Sequence, residues 1–594
     1  MYSRSPCSSS PTHVAQWLAQ TAAHCIDLQL TPGVVIARMR LQHGQVAERL
    51  NALVSKTSSP FGVTWVRIPP CPLDCPRRRR IWLRRYTDIL MSHLAIAAGT
   101  PFAAQAAAAI ADEGGNAVDA AIAATFMTWV CEPGMTSLGG GGFCCVWPPD
   151  DSPLTIDGFV EMPGRSADKR HFGQGDRVSM PYGGGIDTFI GPGSIATPGA
   201  LAAIELLWKR WGRLPWPRLI EPAIAAARNG FPLPWQSKLY FTESYDAVFS
   251  YTPGARRLAL RDDGQPRAVG DMLQIPELAD SLQYIADDGA DALYHGELGR
   301  AIADWVDQHD GLLGVDDLAE YAAVIRPCLM SEQRGWRMAT NPAPAVGGAV
   351  LVELVSLLGE RPRDRWSADD VALFSRAMER AFTDRNEWLR NGQLERMSDD
   401  EFLDAVDGRR RGLAAPSTSH TSAIDADGLA CSVTTSTGYS AGVVVPGTGV
   451  LLNNMLGEIE LNPAGLHALE PGARMRSNMA PSILRSGADD IVSLGSGGAD
   501  RITSALAQVW VNVVSLKMPL EQSISHPRCH VEWRDGQPIL AHEPGVDSSA
   551  VPFATRGFDD LHMYFGGVQA VQRTSQGELI AVADPRRRGG AIVT

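Results

Sequence analysis

A cluster of hydroxyl side chains around one histidine, Ser417-Thr418-Ser419-His420-Thr421-Ser422, sits about two-thirds of the way along the 594-residue chain. A threonine hydroxyl is a poor nucleophile until a base takes its proton. If Thr418 were the first residue of a mature chain, its own α-amine could be that base. Such an amine has a reference pKa of about 7.7–8.0, which leaves a useful neutral fraction near pH 7. A backbone amide nitrogen cannot do the same work. The residues alone read more simply as a β-strand that begins with hydroxyls. They follow the loop-like Gly408-Arg409-Arg410-Arg411-Gly412 and Ala414-Ala415-Pro416 and precede short β-rich runs punctuated by glycine.

Other candidate chemistry is thinner. Gly139-Gly140-Gly141-Gly142 allows close backbone approach, but no Lys-Ser/Thr follows and a strand-like Cys144-Cys145-Val146-Trp147 comes next, so it is a poor phosphate loop. Ten cysteines are too few for a disulfide scaffold. The pair Cys71 and Cys75 has no second ligand pair at zinc spacing, so no metal site is expected. A formal net charge of −13 argues against nucleic acid or an anionic membrane as partner. No apolar run is long enough to span a bilayer, and no secretory signal is recognisable. A cytoplasmic location is therefore expected, with no cofactor.

The elements that must position these residues change character along the chain. Pro101 to Asp112 is an alanine-dominated helix with Thr100 as N-cap and proline at its first position. Val118 to about Val130 is a second helix. Amphipathic helices are expected over 200–208, 222–229, 277–287 and 368–389, giving a mostly helical first part. After Thr418 the pattern turns to strands: 423–425 and 430–434 about the Asp427-Gly428 turn, then 443–445, 450–452 and 491–494, followed by a helix over 501–513. Helices covering a two-layer antiparallel core are expected.

The first ninety residues read differently. They show no sustained period, end in Arg77-Arg78-Arg79-Arg80 and Arg84-Arg85, and in part resemble the conceptual translation of a transfer-RNA gene. Residues 1–90 are expected to be a spurious or disordered extension, with the true start at Met91.

From Met91 onward, ordered matches resemble the γ-glutamyltransferase family. They include Gly114-Gly115-Asn116-Ala117-Val118-Asp119-Ala120-Ala121, the Gly139–Gly142 run with Phe143, Trp211-Gly212-Arg213-Leu214-Pro215-Trp216, Asp316-Asp317-Leu318-Ala319-Glu320-Tyr321 and Ala381-Phe382-Thr383-Asp384-Arg385. The resemblance implies an α+β fold, the four-layer αββα sandwich of N-terminal-nucleophile hydrolases. It also implies an inactive precursor that cuts itself between Ser417 and Thr418. A large part, 91–417, and a small part, 418–594, would then form a heterodimer that acts on a γ-glutamyl or other acyl amide and passes the acyl group to water or an amine.

The same resemblance assigns roles residue by residue. Thr418 is the expected nucleophile and Ser436 its orienting hydroxyl. Gly498 and Ala499 in Leu494-Gly495-Ser496-Gly497-Gly498-Ala499-Asp500-Arg501 fall on the oxyanion-hole pair, with a one-place shift to Gly497 and Gly498 as the alternative. His420 is expected to be structural. In the acyl pocket the chain departs from the family. The arginine that grips a substrate carboxylate is replaced by Phe159, or by Val160 if counted back from Glu161. Gly438 stands where an asparagine is expected, Glu458 in place of an aspartate that pairs with the substrate amine, and Ser477-Asn478 in place of a serine pair. Arg474 or Arg476 is a candidate for the missing positive charge.

Overall fold

The computed structural model describes residues 92–181, 185–360, 364–391, 418–487, 489–534 and 536–594. It also describes four short strands within the first ninety residues. There, Ile26–Thr31 pairs with Val34–Met39 and Leu53–Thr57 with Val63–Arg67, both antiparallel. Residues 92–594 make a separate compact unit.

Two antiparallel sheets organise this unit. The first has seven strands in the order Val324–Pro327, Leu154–Gly158, Gly141–Trp147, Ala430–Ser436, Ser419–Asp425, Leu94–Ala98 and Gly590–Val593. The second has six: Leu329–Gln333, Trp336–Thr340, Ser482–Ser486, Ile491–Gly497, Gly567–Arg573 and Leu579–Ala583. The part before Thr418 was expected to be mostly helical, yet it supplies four strands of the first sheet and two of the second. The two parts are therefore interleaved. Short runs such as Leu154–Gly158 carry little period-2 signal because their side chains are buried on both faces.

The strand Ser419–Asp425 packs across onto Ile491–Gly497 and Gly567–Arg573. Its alternation sorts the hydroxyl cluster. His420, Ser422 and Ile424 point between the sheets, where Ser422 Oγ donates to the Gln569 carbonyl at 3.1 Å. Ser432 and Ser493 add cross-sheet bonds to the Leu494 and Cys431 carbonyls at 3.0 and 2.9 Å. Small side chains permit this close approach, and hydrogen bonding keeps the buried hydroxyls satisfied.

Helices Pro101–Asp112 and Ala117–Cys131 lie on the first sheet. Thr100 accepts from the Ala103 N–H, as its N-cap position predicts. Asn116 caps the second helix, and Asp119 returns the bond to the Asn116 N–H. Every residue of that second helix is buried, which explains its lack of a polar stripe. Helices Arg501–Trp510 and Leu520–Ser525 lie on the second sheet, and Val346–Leu358 and Ala368–Asn391 pack around them.

Two expectations differ in detail. Residues 443–445 and 450–452 form only isolated bridges, because Gly442, Gly447 and Gly449 at positive φ fold the backbone into a tight loop. The helix expected from Pro222 begins at Trp216, with the proline tolerated inside it.

Candidate active site

The strand register places Thr418, the expected nucleophile. Ser419 pairs with Thr435 and His420 with Thr434, so Thr418 falls opposite Ser436. Thr418 Oγ1 lies 3.3 Å from Ser436 Oγ, and Ser436 Oγ also accepts from the Gly438 N–H at 3.0 Å. Ser417 lies outside the described residues. The Thr418 carbonyl accepts from Arg587 Nη1 at 2.6 Å.

The glycine turn closes on the same residue. A side chain at Gly497 would overlap both the Thr418 carbonyl and the Arg587 guanidinium. Gly498 has φ +128° and Ala499 φ +53°, just before the helix Arg501–Trp510. A left-handed alanine costs about 1–2 kcal/mol, and strain of this kind collects at functional turns. Among the described residues no backbone carbonyl accepts from the Gly498 or Ala499 N–H, so both donors remain available.

His420 does not reach the hydroxyl of Thr418. Its ring bonds Thr434 Oγ1 at 2.8 Å and Ser422 Oγ at 2.9 Å, and it lies flush against Gly495. Burial pushes its pKa down to about 3, so the imidazole stays neutral and structural.

On the other side of Ser436 lies a polar cluster. Gly438, at φ +64°, has its open face against Asn454 Oδ1 and the Glu458 carboxyl, leaving no room for an asparagine there. The Glu458 side chain is buried and makes no hydrogen bond to the described residues. Burial, and then the neighbouring Glu460, hold its pKa well above the usual carboxylate range. Tyr439 donates to Glu460 at 3.0 Å. Arg385, fully buried, donates to Asn478 Oδ1 at 3.3 Å. Burial alone would raise Asp500, but Arg501 at 2.9 Å, His530 and Arg385 overcome it and hold Asp500 low.

The remaining expected residues are placed as follows. Phe159 is buried and stacked on Phe143, centroids 5.3 Å apart. Val160 is buried as well, so neither candidate position offers a cation. Arg474 does not replace one. Its guanidinium is committed to Glu161 at 3.2 Å, to the Phe159 and Ala322 carbonyls and to the Tyr321 hydroxyl. Arg476 lines a small cleft with Met162, Leu456 and Met475. Ser477 serves the backbone: its Oγ accepts from Met479 N–H, and its carbonyl takes the Val346 and Gly347 N–H groups.

Sequence reasoning missed Arg587, Glu132, Glu460 and the Arg385–Asp500–Arg501 group. Nothing local separates Arg587 from Arg586 and Arg588, and Glu132-Pro133 reads as a helix end.

A family model described as gamma-glutamyltranspeptidase matches residues 103–594. The chain belongs to the gamma-glutamyltranspeptidase family. It is 29% identical over 539 residues to a glutathione hydrolase proenzyme of Pseudomonas aeruginosa, covering 84% of this chain and 94% of the relative. Another relative, an acylase ACY 1 proenzyme of a Pseudomonas species, is 28% identical over 522 residues, with 83% and 92% covered. Among solved structures, a cephalosporin acylase from Bacillus halodurans superposes with a TM-score of 0.71 at 24% identity, over 84% of this chain and 96% of that one. As a gamma-glutamyltranspeptidase relative, the chain is an enzyme of the N-terminal-nucleophile hydrolase class with a mixed helix-and-sheet fold. Among the described residues, no group of three or more His, Cys, Asp and Glu is placed to hold a metal ion, and no helix is long and apolar enough to cross a membrane.

Proposed function

We propose that the chain is an autoprocessing amide hydrolase or acyltransferase. Thr418 becomes its N-terminal nucleophile after a cut at Ser417–Thr418, and the parts before and after the cut stay together as a heterodimer on a four-layer αββα sandwich. The convergence of Thr418, Ser436 and the donor turn at Gly498 and Ala499 carries this reading. The hydroxyl attacks an amide carbonyl, its proton passes to the α-amine and then to the leaving amine, and the turn's N–H groups meet the oxyanion. Water or an amine then takes the acyl group from the threonine ester.

Glu458, whose carboxyl lies against Gly438, suits a substrate ammonium whose charge would draw it into the ionised form against burial and Glu460. The buried Phe159–Phe143 stack favours a second reading of the same chemistry, an acylase for amides without an α-carboxylate, because an apolar pair stands at the clamp position and Arg474 is committed to Glu161 and Tyr321. A panel of γ-glutamyl and neutral acyl anilides separates the two. Preference for neutral acyl groups is expected from the stack. Rapid γ-glutamyl turnover with tight inhibition by glutamate analogues would contradict it, and no turnover of any anilide would favour a ligand-binding pseudoenzyme.

A further inference from the structure

Beside the Thr418 carbonyl lie two buried ionisable residues, Arg587 and Glu132, that the chemistry above does not use. Arg587 reaches the Thr418 carbonyl through a slot floored by two glycines paired in register, Gly497 and Gly567. A Cβ at either would overlap the arginine side chain. Glu132 follows the helix Ala117–Cys131 and is almost completely buried, its carboxyl pressed against Gly99 and neighboured by Ser419, Gln236 and Arg587. Glu132 Oε1, Ser419 Oγ and Arg587 Nε and Nη2 are all buried and form no hydrogen bond to the described residues. Unpartnered buried polar atoms are rare, and here they concentrate against one peptide unit.

We propose that Arg587, beside the buried Glu132, is a positioning residue for Thr418. This inference rests on Thr418 being the nucleophile. Once the chain is cut, no preceding peptide holds Thr418, and two torsions, ψ and χ1, aim its amine and hydroxyl. The Arg587 bond to the carbonyl anchors the peptide plane and hence the Cα about which ψ turns. Ser436 restrains the hydroxyl at the end of χ1. With both in place, amine and hydroxyl stay in the relation that proton transfer needs. Burial pushes the Glu132 pKa up to about 7, and its ionised form offsets part of the cost of the buried guanidinium. Neither residue touches substrate.

The test uses the full chain with Arg587→Met, Arg587→Lys and Glu132→Gln, and Thr418→Ala as reference. Cutting is followed by intact mass, and kcat and KM are measured on the best anilide. Loss of a charge-assisted bond predicts that Arg587→Met lowers kcat and the cutting rate about 10- to 100-fold, with KM within about threefold of wild type. Arg587→Lys, which keeps one charged donor, recovers most of that loss, and Glu132→Gln gives a smaller fall confined to kcat. Wild-type cutting and kcat in Arg587→Met and Glu132→Gln would overturn the positioning role while leaving the nucleophile in place. So would a change in KM alone, or a loss in Arg587→Met that lysine does not relieve. A wild-type chain that is never cut would overturn the nucleophile assignment and this inference with it.

Discussion

Thr418 is held at two points, by Ser436 at the hydroxyl and by Arg587 at the carbonyl, and the first can be removed without emptying the site. Ser436→Ala deletes the bond from Thr418 along with the one accepted from Gly438; the Thr418 bond is an ordinary one of about 0.5–1.5 kcal/mol, so turnover should fall roughly two- to tenfold. Steady-state kinetics with unchanged KM checks this, and a fall beyond a thousandfold would show that Ser436 does more than orient. At Phe159 the opposite change informs. Phe159→Arg would bury a cation against Phe143 in a stacked apolar layer, at a cost of several kcal/mol. The expected outcome is a lower urea midpoint and no gain of γ-glutamyl turnover. A stable variant with γ-glutamyl activity would mean that the pocket differs from the family at this residue alone.

Among the elements, the paired strands Ile491–Gly497 and Gly567–Arg573 matter most, since their glycine pair lets the sheet edge approach Thr418. Gly497→Ala puts a methyl where the Thr418 carbonyl sits, so it should abolish cutting more completely than Ser436→Ala; a variant that cuts normally would show that the edge has slack. These devices were only partly legible in the sequence. The alanine helix Pro101–Asp112 emerged with its expected ends, because Thr100, Pro101 and Gly114 are local signals. The strands about Gly428 also emerged, each longer than expected because hydroxyls and histidine hide their β character. The cross-sheet pairing and the Arg587 slot did not emerge. They join residues 62 to 169 positions apart, which no local pattern records. An uncharged residue at Phe159 could be read from the sequence, but the commitment of Arg474 to Glu161 and Tyr321 could not.

Across the whole molecule, burial of ionisable groups sets how stability responds to change. Arg528, Asp584, Arg586 and Glu543 form a buried network, with Arg528 to Asp584 at 2.7 Å and Arg586 to Asp584 at 3.2 Å. Removing one member strands the others, so Arg586→Met should cost about 3–5 kcal/mol in urea unfolding; a loss below about 1 kcal/mol would contradict a closed network. Acid acts through His420, whose folded pKa of about 3 lies below its unfolded value of about 6.5. Between those values the unfolded chain binds a proton that the folded chain does not. Its contribution is thus full above pH 6.5 and is lost as pH falls toward 3, with a slope of up to about 1.4 kcal/mol per pH unit. Replacing His420 by glutamine should flatten that window of a stability-versus-pH curve, and an unchanged slope would place the acid sensitivity elsewhere.

The claim on which all these scales depend is that Thr418 becomes a chain terminus. N-terminal sequencing combined with intact mass on the purified wild-type protein tests it directly. The account predicts a second polypeptide that begins at Thr418 and disappears in Thr418→Ala. A single uncut wild-type chain that still turns over amides, or an identical cut in Thr418→Ala, would contradict it.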